Sequence, residues 1–309
     1  MKNFINLKDI SASDLRKILK DAKKRKINRK KFNTMKVDKD NPLNGKLIIQ
    51  MFEKASSRTR LSFYIAVKQL GGETITIKAN ELHLGKGGES LSDTAKILST
   101  YGDAFLLRTD SDKKIDDFRK NLTIPIVNLL SPSSHPCQVL SDIFTIEEIK
   151  KKPVSKLNIC WIGDSNNVLN SLIATSVKFR FNLNIGCPRN YRPQKFVLNW
   201  VKKNKRKINI FDDPKKAVKN ADVILSDKVV SLNDKVNKIK KIKDFKNYQI
   251  NLNLMKYAKK DAIFLHCLPR GNEVSNDIFL GKYSKVWQQA LNRVDVQKSI
   301  LLYCFGKLR

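Results

Sequence analysis

Two serines, a threonine and two arginines crowd one short segment, Ser56-Ser57-Arg58-Thr59-Arg60, between a run of buried-strand character and a helical pattern. A helix start offers unpaired N–H groups and partial positive charge, and a guanidinium can hold phosphate oxygens in a bidentate fork. The segment has no glycine-rich cradle, which sets it apart from a nucleotide P-loop. Its chemistry suits a phosphate; the alternative is an exposed capping loop with ordinary surface arginines. A second segment, Ser133-Ser134-His135-Pro136-Cys137-Gln138, puts proline where a helix favours it as first residue. His135 could donate a hydrogen bond to a substrate carbonyl or be a satisfied structural histidine. A third, Phe264-Leu265-His266-Cys267-Leu268-Pro269-Arg270, offers a cysteine that could be a nucleophile, a polar contact or a small buried hydrophobe. Arg108, Asp164-Ser165-Asn166-Asn167 and Asp227 likewise stand at the ends of apolar runs.

The elements that must position these groups alternate. Strands are expected over 47–52, 73–77, 104–108 and 124–130, with helices over about 62–70, 92–101 and 136–151. The series restarts with strands at 157–162, 183–187, 208–211, 223–225 and 262–265, helices at 167–179 and 195–201, and a last helix over about 290–308. Such alternation implies parallel sheets flanked by helices. The fold class is α/β, with two domains: 1–145 together with the C-terminal helix 290–309, and 146–289. Every chemical segment follows a strand, and open α/β sheets gather ligands outside the carboxyl ends of their strands.

Composition limits the alternatives. The chain has 309 residues, 41% of them hydrophobic, enough for a substantial core. No run approaches the ~20 apolar residues of a membrane span, and Met1-Lys2-Asn3-Phe4 opens no secretory signal. Cys137, Cys160, Cys187, Cys267 and Cys304 show no disulfide-framework or metal-site spacing. A reducing cytoplasm, with no metal and no organic cofactor, is expected. The formal net charge of +32 admits nucleic-acid or acidic-membrane binding. The basic runs at 202–207 and 238–243 lack the aromatic interleaving of a stacking platform, so a solvated lysine-rich surface is expected, with neither nucleic acid nor membrane as a partner.

Taken in order, these segments resemble the aspartate/ornithine carbamoyltransferase family from Asn3 to about Gly306. Ser56-Ser57-Arg58-Thr59-Arg60 is similar to its carbamoyl-phosphate signature, and His135-Pro136-Cys137-Gln138 to its His-Pro-x-Gln. His266-Cys267-Leu268-Pro269 and Trp161-Ile162-Gly163-Asp164-Ser165-Asn166-Asn167 resemble the ornithine branch rather than the aspartate branch. The resemblance implies carbamoyl transfer from carbamoyl phosphate to L-ornithine, giving L-citrulline and phosphate, in arginine biosynthesis. It implies a homotrimer or a multiple of it, with sites between domains and near a subunit interface. By the same resemblance Ser56, Ser57, Arg58, Thr59, His83, Arg108, His135, Gln138, Cys267, Leu268 and Arg293 would bind carbamoyl phosphate. Asn167, Asp227, Ser231 and Leu232 would bind ornithine, and Arg108, His135 and Cys267 would be catalytic, the thiol orienting substrates rather than forming a covalent intermediate. One departure stands out: Ser231-Leu232-Asn233 replaces the family's Ser-Met-Gly. It keeps open another amine acceptor such as putrescine, and the charge keeps open a basic nucleic-acid-binding protein on this fold.

Overall fold

The computed structural model describes residues 1–29, 31, 33–78, 88–230 and 237–308. It divides into two compact units, Met1–Ser141 with Leu291–Arg309, and Asp142–Ala290. The first opens with α1 (Ala12–Arg29), which the sequence reading did not name. Its apolar stripe of Leu15, Ile18, Leu19 and Ala22 has helical spacing but is diluted by lysines on the other face. There follow β1 (Leu47–Phe52), α2 (Ser57–Gln69), β2 (Glu73–Lys78), α3 (Leu91–Tyr101), β3 (Ala104–Arg108), α4 (Asp112–Asn121), β4 (Ile126–Leu130) and α5 (Pro136–Lys150). Helix α4 was also not anticipated; its Ser111 cap accepts from the Lys114 amide, and only Ile115 and Phe118 bury.

In the second unit come β5 (Asn158–Ile162), α6 (Asn167–Phe179), β6 (Asn182–Gly186), α7 (Lys195–Lys203), β7 (Asn209–Phe211), α8 (Pro214–Val218) and β8 (Val223–Ser226). Then follow α9 (Lys238–Asp244), α10 (Leu252–Met255), β9 (Ile263–His266) and α11 (Asn276–Phe279), and last α12 (Val286–Cys304), which from Leu291 on belongs to the first unit. Helices α8 to α11 are short and carry too few apolar residues to show a period.

Among the described residues the strands form two sheets, ordered β2-β1-β3-β4 and β7-β6-β5-β8-β9, with parallel pairing throughout. This α/β architecture is the expected one. In the first sheet the chain runs outward from β1 to β2, then crosses back to β3. In the second it runs from β5 through β6 to β7, then returns to β8. Each return creates a switch point, between β1 and β3 and between β5 and β8, where loops diverge and leave a crevice at the carboxyl edge. Ser56 to Arg60 and Arg108 emerge at the first point, and Asp164 to Asn167 and Asp227 at the second; His135 and Cys267 follow the adjacent edge strands β4 and β9.

Helix α12 completes the first unit. The Ser299 hydroxyl donates to Asp21 at 2.6 Å, Lys298 pairs with Asp38 at 3.3 Å, and the Lys26 ammonium donates to Asn292 at 2.6 Å. No helix among the described residues is long and apolar enough to cross a membrane.

Candidate active site

In the first unit β1 and β3 are hydrogen-bonded neighbours, with Phe52 opposite Arg108. Their ends are clamped by a residue the sequence reading passed over. The Glu53 amide donates to the Arg108 carbonyl at 3.1 Å, and its carboxylate accepts from the Thr109 hydroxyl at 2.5 Å and binds Lys114. Helix α2 starts at Ser57, five residues before the position expected, so Ser57, Arg58 and Thr59 form its first turn and Ser56 its N-cap. The Ser56 side chain does not cap the helix. Instead its hydroxyl accepts from Arg108 Nη1 at 2.7 Å. From the returning α12, Arg293 Nη2 donates to the buried Thr59 hydroxyl at 2.8 Å. Ser57 and Arg58 are exposed on the turn.

His135 ends the loop after β4 and immediately precedes α5, with Pro136 in the first helical position. It is buried, and Gln138 is buried within the first turn of α5. Burial holds the His135 imidazole well below its ordinary range, and the charges of Arg293, Arg108 and Arg58 push the same way. Burial and the neighbouring Arg58 likewise lower the Arg108 guanidinium. Three guanidiniums thus surround one neutral imidazole, next to the open N-terminus of α2. That assembly is suited to receive an anion. The Cys137 thiol, two residues on, is pushed up to about 12 by burial and is inert as a nucleophile.

The buried His135 has a consequence for stability. The unfolded chain takes up a proton here below about pH 6.5, whereas the folded protein refuses it. Its contribution is therefore lost as pH falls below ~6.5, by about 1.4 kcal/mol per pH unit, until the folded group itself titrates. In denaturant unfolding from pH 7.5 to 5, H135Q is expected to show a correspondingly shallower loss than the wild type. Parallel curves would mean that His135 titrates freely in the fold.

In the second unit the turn after β5 carries Asp164-Ser165-Asn166-Asn167. Asn166 caps α6, its Oδ1 accepting from the Val168 and Leu169 amides. Its Nδ2 donates to Asp227 Oδ2 at 2.7 Å, across the switch point at the end of β8. Asp227 Oδ1 accepts from the Lys228 amide at 2.7 Å and from Cys267 Sγ at 2.8 Å. Asn167, expected to contact ligand, is the half-buried first residue of α6. Asn166 and Asn167 therefore divide the work of cap and ligand candidate, a split that a doubled asparagine does not reveal in sequence.

Cys267 and Leu268 follow β9. Leu268 has φ +60, a left-handed conformation that costs a branched residue about 1–3 kcal/mol. The Leu268 amide donates to His266 Nδ1 at 2.9 Å, which leaves the ring proton on Nε2 facing Glu273 Oε1 at 3.1 Å. Burial alone would raise the Glu273 carboxyl, but hydrogen bonds from His266 and the Gly271 amide bring it below its usual range. This pair, not anticipated from sequence, holds the strained turn that presents Cys267. Cys267 is the half-buried member of the five cysteines. Its thiol donates to a carboxylate, which fits a polar contact and neither a buried hydrophobe nor a free thiolate. His83, Ser231 and Leu232 lie outside the described residues.

The first unit thus carries an arginine-rich anion cradle and the second a carboxylate–thiol cluster. Residues 2–148 match the model of the aspartate/ornithine carbamoyltransferase carbamoyl-P binding domain, and residues 155–304 that of the aspartate/ornithine carbamoyltransferase Asp/Orn binding domain. The chain is 40% identical over 308 residues to an ornithine carbamoyltransferase of Mesorhizobium japonicum, covering 99% of both chains. It is 39% identical over 307 residues to that of Agrobacterium fabrum, covering 99% and 98%. Among solved structures, the ornithine carbamoyltransferase of Pyrococcus furiosus superposes with a TM-score of 0.91 at 36% identity, covering 100% of this chain and 98% of that one. The anabolic enzyme of Campylobacter jejuni gives 0.89 at 33% identity, covering 99% and 100%. The chain belongs to the aspartate/ornithine carbamoyltransferase family and is a carbamoyltransferase.

Proposed function

We propose that the chain transfers the carbamoyl group of carbamoyl phosphate to the δ-amine of L-ornithine, releasing L-citrulline and phosphate, in the synthetic direction of arginine biosynthesis in the cytoplasm. The observation that carries the acceptor is the Asp227 carboxylate, hydrogen-bonded at once to Cys267 and Asn166. A carboxylate there suits the α-ammonium of an amino acid and repels the second carboxylate of aspartate. The names of the relatives in Mesorhizobium and Agrobacterium support the same acceptor. A homotrimer, or a multiple of it, is the assembly this reading carries.

The first unit, closed by α12, is then the carbamoyl-phosphate domain, and residues 146–289 the ornithine domain. Arg58, Ser56, Ser57 and the first-turn amides of α2 bind the phosphate. Thr59, Arg108 and His135 face the carbamoyl oxygen, Gln138 and Arg293 complete that pocket, and Cys267 with the Leu268 backbone orients the carbamoyl group. Asp227 holds the α-ammonium and Asn167 the α-carboxylate. The amine lone pair attacks the carbamoyl carbon, charge grows on its oxygen, and the bond to the phosphate oxygen breaks. His135, kept neutral by its surroundings, can donate a hydrogen bond to that oxygen. The δ-amine resembles lysine, pKa near ~10.4, so only about one part in a thousand is free base near neutrality, and the site must select or generate that form. Carbamoyl phosphate is already activated, so a covalent carbamoyl-cysteine would gain little.

The test is citrulline formation with ornithine, putrescine, lysine and aspartate as parallel acceptors. Ornithine is expected to exceed putrescine by at least a thousandfold in kcat/KM, because putrescine leaves the carboxylate-binding groups unmatched. Preference for putrescine would move the acceptor, and no turnover with any would remove the activity.

A further inference from the structure

Helix α9 is inside out. Its apolar residues, Ile239 and Ile242, are 80% and 52% exposed, while its one buried residue is a lysine, Lys241. Lys238, Lys240 and Lys243 on the same helix are all exposed. The C-cap Phe245 is buried in the apolar core of this unit, but within Lys238–Asp244 no apolar side chain is buried. The inward contact of the helix is an ion pair, Lys241 Nζ to Asp164 Oδ2 at 2.5 Å, with side chains 3% and 19% exposed. The ammonium also lies 5.8 Å from the centroid of the Tyr191 ring, and the Tyr191 hydroxyl donates to Asp244 of α9 at 2.9 Å.

Asp164 belongs to the turn described above. Its carbonyl accepts from the Asn166 amide at 3.1 Å and from Trp161 Nε1 at 3.1 Å. One bonded path therefore runs from Lys241 to Asp164, through the turn to Asn166, then to Asp227 and Cys267. Every member lies in the second unit. A lysine in water would be indifferent to the geometry of this path. A buried ammonium that leaves its carboxylate loses a charge-assisted partner in a poorly solvated place, so the pair ties the helix to the turn.

We propose that Lys241 is a positioning residue for the acceptor: through Asp164 it holds the turn that sets Asn166, Asp227 and Cys267, and so governs acceptor affinity without touching the acceptor. The proposal rests on the reading of Asp227 as the acceptor's anchor. The experiment compares wild type, K241M, K241R, D164N and K241M/D164N for the KM of each substrate, and for the rate at which iodoacetamide alkylates Cys267, which needs no acceptor.

K241M and D164N are each expected to raise the ornithine KM at least tenfold with the carbamoyl-phosphate KM within twofold of wild type. K241R should return it to within threefold, and the double variant should be no worse than either single one, as for partners in one interaction. Cys267 should be alkylated at least threefold faster in K241M and D164N. An unmoved ornithine KM, both KM values rising together, or additive losses would overturn the proposal. If the wild type fails to use ornithine, it is the acceptor reading that fails. The alkylation rates then decide this one, and unchanged rates would end it. If K241M does not fold, D164N carries the same comparison.

Discussion

R108M is expected to lose about a hundredfold to a thousandfold in kcat for citrulline formation, while its melting temperature holds or rises. The two halves of this expectation have one origin. Arg108 terminates β3 and points Nη1 at Ser56, with its strand end pinned by the Glu53 amide. A preorganised donor aimed at developing oxyanion charge contributes about 3–4 kcal/mol of barrier lowering. Methionine keeps the length and loses the donor. Yet Arg108 is a partly buried cation crowded by Arg58, and it helps to disfavour charge on His135. Without a bound anion these guanidiniums repel one another, so removing one relieves the empty site. Activity and stability are opposed at such positions. Steady-state kinetics and thermal unfolding on the same preparation check both halves. Carbamoyl phosphate should raise the wild-type melting temperature more than that of R108M, since a ligand stabilises the fold more the more tightly it binds. A variant that loses activity and stability together would make Arg108 a structural residue.

Much of this arrangement was legible in the residues. The apolar runs at 47–52, 104–108 and 157–162 located the strands, and Pro136 marked a helix start. Placing Arg108, His135, Asp227 and Cys267 after strands was sufficient to assign them to carboxyl edges. What could not be read was pairing across sequence. That Ser56 serves Arg108 rather than its own helix, and that Asn166 is shared between a cap and Asp227, both depend on strand order. The local composition of these segments carries no trace of it. Helix α9 shows the limit most sharply. Its Lys-Ile-Lys-Lys-Ile-Lys pattern reads as a solvated charge run, and one of those lysines is nevertheless buried in an ion pair.

D227N should lower kcat/KM for ornithine on the order of a hundredfold to a thousandfold and leave the affinity for carbamoyl phosphate within twofold. The carboxylate accepts from three donors, the Asn166 amide, the Cys267 thiol and the Lys228 backbone, and in the proposed complex also faces the α-ammonium. An asparagine has a single acceptor oxygen and presents an NH2 group to one of those donors. Truncating one partner of a hydrogen-bonded charge pair typically costs about 2–5 kcal/mol, which sets the range. Putrescine makes the prediction selective. It retains the amine that corresponds to ornithine's α-ammonium and lacks only the carboxylate, so D227N should depress ornithine and putrescine alike and leave their ratio near the wild-type value. A loss confined to ornithine would place Asp227 on the carboxylate side of the acceptor, which its charge makes the less favourable role. A loss that also appeared in the carbamoyl-phosphate KM would show that the thiol held by Asp227 matters more for the carbamoyl group than the carboxylate does for the amino acid.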